Sequence, residues 1–217
     1  QDSLLRGLFM TSWLVEDFML TSNLFESEVC LITSASSKTS IALAHCVKQR
    51  GKLQSIGITS PGNIAFCERL GCYDRVISYQ NIAQLDAAKA AVVVDMAGNA
   101  RVISQLHHHY ADNMMHSCRI GATHHSEMGS VEGLPGAVPQ FFFAPSHVRA
   151  RSAELGAQQL MQLLSIDYAG FRRFCDSWLK VVPSYGVEAM DKTFQAVLGG
   201  SADPVAGQIV SLSADGE

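Results

Sequence analysis

The sequence predicts an α/β protein: a doubly wound, Rossmann-like parallel six-stranded sheet with flanking helices, followed by C-terminal helices and a returning strand. Two observations lead to this prediction. Short runs that are apolar throughout alternate with segments whose apolar residues recur at helical spacing, which is typical of parallel strands covered by helices on both faces. The first of these runs, residues 29–32, passes through a turn of small hydroxyl residues into a helix, as the first unit of a doubly wound sheet does.

The first half of the chain predicts a leading helix and three strands. Between residues 4 and 20 the apolar side chains fall at helical spacing. The run 29–32 is short and β-branched, so it predicts a strand, and Gly51 ends the helix that follows its turn. Residues 53–59 predict a second strand, a Pro-Gly turn and a helix over 64–70 follow, and residues 74–79 predict the third strand.

The second half predicts three more strands and then mostly helices. Residues 90–95 form a strongly apolar strand, a helix is expected over 100–110, and two further strands over 117–122 and 140–144. Helical patterns then cover 146–164, 171–181 and 187–198, and a last strand over 207–212 has no evident partner in the doubly wound unit. We therefore expect a Rossmann-like domain with its leading helix over 1–165 and a C-terminal part over 166–217.

The composition argues against several classes of partner. The 217 residues are 47% hydrophobic and 17% charged, which is enough for one domain with a large core. The net charge of −4 and the lack of a basic stripe argue against nucleic acid. No apolar segment approaches the roughly 20 residues that cross a bilayer, so no membrane partner is expected. Six cysteines without a CxxC pair predict reduced, buried thiols, and with no signal-peptide pattern we expect a cytoplasmic protein.

Several sequence blocks carry a family resemblance. They read LGCYDRVISY at 70–79, VVVDMAGN at 92–99 and CRIGA at 118–122. In this order they resemble the cofactor-binding domain of the medium-chain dehydrogenase/reductase superfamily, and more closely a branch with no assigned reaction. The last strand resembles the one that returns to the GroES-like catalytic domain of that superfamily. That domain is not within these 217 residues.

The turn after the first strand departs from the superfamily's pattern. Quinone-reductase-like members read G-A-S-G-G-V-G there, whereas this chain has a serine or a lysine at each of the four glycine positions. The resemblance implies that the turn binds the pyrophosphate of a dinucleotide through Ser34, Ala35, Ser36, Ser37, Lys38 and Thr39. Ser36 or Ser37 can cap the following helix, and Lys38 can supply charge to a phosphate. The alternative is a polar turn with a helix cap and no ligand.

Other strand ends complete the expected cofactor site. The resemblance implies ribose or 2′-phosphate contacts from Ser60, Asn63 and Tyr79, with an ordinary Pro-Gly turn as the alternative. The second strand lacks the terminal Asp or Glu that binds a ribose 2′-OH, which favours NADP, with NAD possible. Further cofactor contacts are expected at the ends of the fourth and fifth strands, from Asp95, Met96, Ala97, Gly98, Gly121 and Ala122. Asp95 could instead hydrogen-bond the backbone of its own loop.

The histidines offer one catalytic candidate and no metal site. His124 follows the fifth strand, where the resemblance places the nicotinamide, and it could donate the proton that accompanies hydride transfer. Its alternative is a loop histidine bonded to backbone. Consecutive histidines at 107–109 point in different directions on a helix, and the others lack zinc-ligand spacing, so no metal site is expected.

The predicted edge strand, which begins at Gln140 and ends at Ala144, contains three consecutive phenylalanines. An open apolar edge favours pairing, and related reductases join this strand across a two-fold axis, so we expect a homodimer through it. The leading function is an NADP(H)-dependent, zinc-independent oxidoreductase acting on a small carbonyl or activated alkene. The alternatives are a non-catalytic nucleotide sensor or scaffold with a degenerate phosphate loop, and a nucleotide hydrolase. Both glycines of the P-loop pattern are missing, which argues against the hydrolase.

Overall fold

The predicted six-stranded sheet is present. The computed structural model describes residues 2–120 and 133–213. All strand pairs within the sheet are parallel, and the spatial order is β3-β2-β1-β4-β5-β6. The strands are β1 (Val29–Ile32), β2 (Gln54–Thr59), β3 (Arg75–Ser78), β4 (Ala91–Asp95), β5 (Met114–Arg119) and β6 (Gln140–Phe141). This is the doubly wound Rossmann-like order, in which the chain changes direction across the sheet between β1 and β4.

Seven α-helices accompany the strands in the described part of the chain. They are α1 (Asp2–Thr21), α2 (Lys38–Arg50), α3 (Ile64–Leu70), α4 (Ala100–Tyr110), α5 (Ala144–Leu155), α6 (Ala157–Asp176) and α7 (Gly186–Leu198). The glycines at 51 and 71 adopt positive φ and end α2 and α3, as the sequence predicts. α6 passes without a break through residues 165 and 166, where the expected division of the chain lies. No helix among the described residues combines the length and apolarity needed to span a membrane.

The two faces of the sheet are covered unequally. Successive side chains of a strand point to opposite faces, so Cys30 and Ile32 belong to one core and Val29 and Leu31 to the other. The first core packs against α1, α2, α3 and α6, and the second mainly against α4. Burial on both faces explains why these strands are apolar throughout.

The leading helix α1 is fastened to the helices around it by aromatic and charged contacts. The ring of Phe9 stacks on Phe171 of α6 with 5.1 Å between centroids. On another side the buried carboxylate of Asp17 accepts hydrogen bonds from His147 and Arg151 of α5, each at 2.8 Å. Burial raises the pKa of Asp17, but these two hydrogen bonds outweigh it and leave the pKa below its ordinary value. α1 therefore belongs to the domain core and is not an appendage.

The C-terminal part differs from the sequence prediction in several elements. The predicted helix over 146–164 is interrupted at Gly156, between α5 and α6, and α6 continues through residues 165–170. The predicted helix over 171–181 is wrong beyond Asp176, where α6 ends, and strand β7 (Lys180–Tyr185) follows a short turn. The last strand, β8 (Ala206–Ser211), pairs with β7 in parallel and so has a partner that its sequence did not reveal. The predicted strand over 140–144 is also too long, since β6 covers only two residues and α5 begins at Ala144 with Pro145 in its first turn.

The Phe9–Phe171 stack generates a stability prediction. Phe171 is 1% exposed, so Phe171→Ala removes a ring from a closed core and should lower the free energy of unfolding of the 217-residue chain by about 3–5 kcal/mol. Phe194→Ala on α7 is the control, because that ring is 60% exposed and its removal should cost no more than about 0.5 kcal/mol. Urea unfolding followed by circular dichroism measures both, and equal effects would contradict the packing described here.

Candidate functional site

The carboxyl ends of β1, β2, β3 and β4 meet at one edge of the sheet. β1 lies between β2 and β4, and the connections that follow β1 and β4 lead to opposite faces. In open α/β sheets this arrangement opens a crevice above the two central strands, where ligands bind. Most of the predicted site residues lie in the segments that follow these four strands, so the fold brings them to one place.

The turn from β1 into α2 presents backbone N–H groups. Ser37 is the N-cap of α2, and its side chain accepts a hydrogen bond from the Ser40 amide at 3.1 Å. The N–H groups of Ser36, Lys38 and Thr39 form no hydrogen bond with any described part of the chain. Three unpaired N–H groups at the positive end of a 13-residue helix are an arrangement that binds anions.

The first residue of the turn adopts a conformation that glycine normally takes. Ser34 has φ of 51°, in the left-handed region that is unfavourable for residues with a Cβ. Its amide donates to the hydroxyl of Tyr79 at 3.1 Å, which satisfies the N–H in this position. Ser34 therefore adopts the backbone conformation that the first glycine of the superfamily's turn would provide.

Space beneath the turn is provided by a glycine in the neighbouring strand. A Cβ added to Gly57 of β2 would lie 2.9 Å from both the Cβ of Ala35 and the ring of Tyr73. The Tyr73 hydroxyl donates to the Ala35 carbonyl at 2.8 Å, and burial raises the pKa of this phenol well above its ordinary value, so it remains a donor. Tyr73 and Gly57 thus support the turn from below. Neither residue was predicted from the sequence, although a glycine within an apolar strand is a signal of close backbone approach.

Ser36 lies at the centre of a small hydroxyl and amide cluster. Its Oγ accepts hydrogen bonds from Asn63 at 3.0 Å and from Thr59 at 3.4 Å, and Asn63 also donates to Ser60. Because Ser36 Oγ is the acceptor in both bonds, its own hydrogen is free for a ligand. Ser36, Ser60 and Asn63, which were predicted from separate segments, come together, and Tyr79 contacts the same turn at Ser34. None of the groups in this cluster is a carboxylate.

Asp95 takes the structural role that the sequence left open. Its carboxylate is 1% exposed and accepts from the Thr33 hydroxyl at 2.8 Å and from the Gly98 amide at 3.1 Å. It also accepts from the Ala97 amide, so it braces its own loop. Gly98 has φ of 76°. Asp95, Met96 and Gly98 are buried, so of the four predicted residues at the end of β4 only Ala97 is partly exposed.

Lys38 points away from the turn. Its ammonium group donates to the carbonyl of Pro204 at 3.3 Å, just before β8. Burial lowers the pKa of Lys38, and the nearby Asp203 acts in the opposite direction. In this arrangement the charge of Lys38 binds the C-terminal segment and does not cover the phosphate turn, as the lysine of a P-loop would.

The remaining predicted residues are those after β5 and the histidines. Gly121, Ala122 and the catalytic candidate His124 lie outside the described residues. His107 is buried and hydrogen-bonded to Ser117 and to the Pro135 carbonyl, and His109 to the Leu85 carbonyl, so both have structural partners. Within 2–120 and 133–213 no group of three or more potential ligands is placed to hold a metal ion.

Comparisons with known proteins place this geometry in context. Residues 1–203 match the family described as "Protein of unknown function (DUF2855)". No curated protein matches the sequence significantly. Among solved structures, the yhdH oxidoreductase from Salmonella enterica, in complex with NADP, aligns with a TM-score of 0.63 at 12% identity over 94% of this chain and 61% of that one.

Two further structures show the same likeness. CurA from Vibrio vulnificus, in complex with NADPH, aligns with a TM-score of 0.58 at 13% identity over 88% of this chain and 58% of that one. The CurK enoyl reductase aligns with a TM-score of 0.60 at 17% identity over 92% of this chain and 60% of that one. The expected Rossmann-like fold is confirmed by this likeness, and the chain spans about three fifths of the length of these proteins.

The left-handed conformation of Ser34 can be tested by mutation. Ser34→Val places a β-branched side chain at positive φ and should lower the free energy of unfolding by about 1–2 kcal/mol. Ser34→Gly removes the steric conflict and should leave the stability unchanged or raise it by up to about 1 kcal/mol. The exposed Ser201, which has no positive φ, provides the matched control Ser201→Val. Chemical denaturation of the variants should rank Ser34→Val as the least stable.

Proposed function

The chain belongs to the family described as "Protein of unknown function (DUF2855)", and we propose that it is an NADP(H)-dependent, zinc-independent oxidoreductase of the medium-chain reductase type. Its substrate would be a small carbonyl compound or an activated alkene. The observation that carries the proposal is the set of unpaired N–H groups at Ser36, Lys38 and Thr39, at the sheet edge where dinucleotides bind in this fold.

The turn has the donors that a pyrophosphate needs, despite its lack of glycines. Glycine helps because it allows the phosphate to approach the backbone closely. Here the turn is lined by hydroxyl groups, and Ser36 keeps a free hydroxyl hydrogen beside the free amides. Serine hydroxyl groups can donate hydrogen bonds to an anion that lies slightly farther from the backbone amides than it would in a glycine-rich turn. These residues therefore fit a diphosphate.

The preference for NADP over NAD rests on the end of β2. β2 ends in Thr59, and Ser60 follows it, so no carboxylate is present to bind a ribose diol or to repel a 2′-phosphate. Ser60 and Asn63 offer neutral donors there, and the Tyr79 hydroxyl lies against the turn. The NADP and NADPH in the Salmonella and Vibrio structures support the same choice by analogy of fold.

The cofactor would supply the hydride chemistry, and this chain would orient it and provide electrostatic support. The amides of the turn would hold the negative charges, and the Asp95-braced loop would form the adjoining wall. We propose that His124, the catalytic candidate from the sequence, donates the proton that accompanies hydride transfer to the substrate. An enoyl reductase among the fold neighbours supports an activated alkene as the substrate.

A non-catalytic nucleotide sensor or scaffold is the second candidate. It is favoured by the replacement of every glycine in the turn and by the use of Lys38 in a contact with Pro204. Binding and turnover separate the two candidates, since a sensor binds the nucleotide and reduces nothing.

Titration with NADPH and NADH tests the proposal. Nicotinamide fluorescence should show saturable NADPH binding, with NADH weaker. Ser36→Asp should weaken NADPH binding by at least about tenfold, because it places a carboxylate among the donors meant for a phosphate. An acidic residue near a helix N-terminus favours the helix, so this variant should fold normally.

Ser165→Asp on the exposed side of α6 is the matched control and should bind NADPH as the parent chain does. Absence of binding by either nucleotide would overturn both candidates. NADPH consumption with a panel of quinones and enals would support the oxidoreductase, whereas binding without consumption would favour the sensor. The assay should use the longest available form of the protein, because the chain spans about three fifths of its fold neighbours.

We also propose that the protein forms a homodimer through β6. β6 is the last strand in the sheet order, and its outer side pairs with no described strand. Phe141 and Phe143 are 65% and 59% exposed beside it. A second copy would cover the strand edge and the rings together, which removes the aggregation hazard of an open apolar edge.

Light scattering coupled to size exclusion tests this assembly. The parent chain should elute as a dimer, and the double variant Phe141→Glu with Phe143→Glu should elute as a folded monomer, because buried unpaired carboxylates oppose the interface. Phe194→Glu introduces the same change on the exposed side of α7 and should remain dimeric. A monomeric parent chain would contradict the proposal.

A further inference from the structure

A second candidate site lies far from the sheet edge just described. A cavity of about 780 Å³ opens between α1, α2, α3 and α6 on the outer side of the larger helical layer. We propose that it binds a small organic anion with a flat aromatic body. The proposal is independent of the function proposed above, because none of the residues that line this cavity belongs to the cofactor site.

The position of the cavity separates it from the cofactor edge. It is lined by the last two turns of α2, between His45 and Arg50, whereas the phosphate turn precedes Lys38 at the other end of that helix. At 1.5 Å per residue these positions are roughly 10 Å or more along the helix from the turn. A ligand here would therefore not occupy the space of a dinucleotide.

The walls of the cavity are aromatic on two sides. Phe9 and Trp13 of α1, both almost fully buried, and the half-buried Phe174 of α6 line it. His45 contributes a further ring, with its centroid 5.0 Å from that of Phe174. The volume falls within the range of small-molecule pockets, and flat rings of this kind favour a flat, apolar ligand body.

The charges in the cavity favour an anion. Two carboxylates and three cationic side chains line it, and the ion pair with Arg50 neutralises the carboxylate of Glu16. Glu16 is held by Arg50 through two hydrogen bonds of 2.9 Å and 2.8 Å, and Asp167 accepts from the Trp13 indole at 2.7 Å. The Lys48 ammonium also lines the cavity, and it donates to the Gly71 carbonyl.

Three polar side chains of the cavity lining, those of His45, Gln49 and Arg173, have no hydrogen-bond partner among the described residues. Arg173 forms no hydrogen bond or ion pair with the described residues, and neither ring nitrogen of His45 is hydrogen-bonded to them. Burial lowers the pKa of His45, so the neutral ring offers one donor and one acceptor at pH 7. A guanidinium without a partner is a strong recognition group for a carboxylate or sulfonate.

Isothermal titration calorimetry with 2-naphthoate tests the site, with the neutral 2-naphthalenemethanol as the matched ligand. The parent chain should bind 2-naphthoate at least about tenfold more tightly than the alcohol. Arg173→Gln should weaken 2-naphthoate binding by at least about tenfold, to the level of the alcohol. Arg172→Gln on the same helix should leave the affinity unchanged, because Arg172 is not part of the lining and pairs with Asp2.

A steric variant tests the location independently of charge. Gly170 lines the cavity, and a Cβ added there meets no atom within 4 Å, so the side chain of Gly170→Leu begins in open space and should occupy part of the cavity. Leucine also favours a helix more than glycine does, so the variant should fold and lose 2-naphthoate binding. Gly7→Leu on α1, which also has open space and does not line the cavity, should bind as the parent does.

Saturating NADPH should leave the 2-naphthoate affinity unchanged, which distinguishes this site from the cofactor edge. The proposal is overturned if the parent chain does not bind 2-naphthoate. It is equally overturned if Arg173→Gln and Gly170→Leu both bind like the parent chain, or if NADPH displaces the probe.

Discussion

The buried hydrogen bond between Thr33 and Asp95 holds together the ends of the two central strands, and the candidate cofactor site depends on it. Thr33 donates to Asp95 at 2.8 Å and accepts from the Met96 amide at 3.0 Å. The Thr33 amide also donates to the Val94 carbonyl at 3.2 Å, and beyond this bond the segments after β1 and β4 leave toward opposite faces of the sheet. Because Thr33 and Asp95 are buried and hydrogen-bonded to each other, they fix the start of α2 relative to the loop after β4. The unpaired amides of the turn are thereby held in one position.

The glycine-free turn shows how a backbone geometry can persist when its usual residues are lost. Ser34 takes the left-handed conformation itself, and its amide is satisfied by Tyr79. Gly57, in the adjacent strand, leaves the room that Ala35 and Tyr73 occupy beneath the turn. Conformational strain at one residue is thus supported by packing and hydrogen bonding from two neighbouring strands. The anion binding proposed for the turn rests on the free amides and the helix dipole, neither of which requires a particular side chain.

The unequal covering of the sheet gives the protein two separate candidate sites. The crevice at the strand ends is created by topology, whereas the cavity among α1, α2, α3 and α6 is created by how a layer of helices packs. α2 contributes to both, with its N-terminus at the crevice and its C-terminal turns at the cavity. The buried Glu16–Arg50 pair at the cavity gives little net stability by itself, because desolvation offsets its attraction. Its clearer effect is to neutralise a carboxylate that would otherwise repel an anion.

The sequence by itself determined the elements whose signals are local. Apolar runs and helical spacing predicted the sheet and most helices, and the family resemblance named Ser36, Ser60 and Asn63, which hydrogen-bond to one another. It could not predict the β7–β8 pair, since the apolar pattern near Val181 suits a helix as well as a strand until a partner strand decides. The direction of Lys38, the bracing role of Asp95 and the cavity beside Arg173 were likewise decided only by tertiary structure. Each of these depends on a contact between residues distant in the chain, and local spacing carries no information about which distant group a side chain will meet.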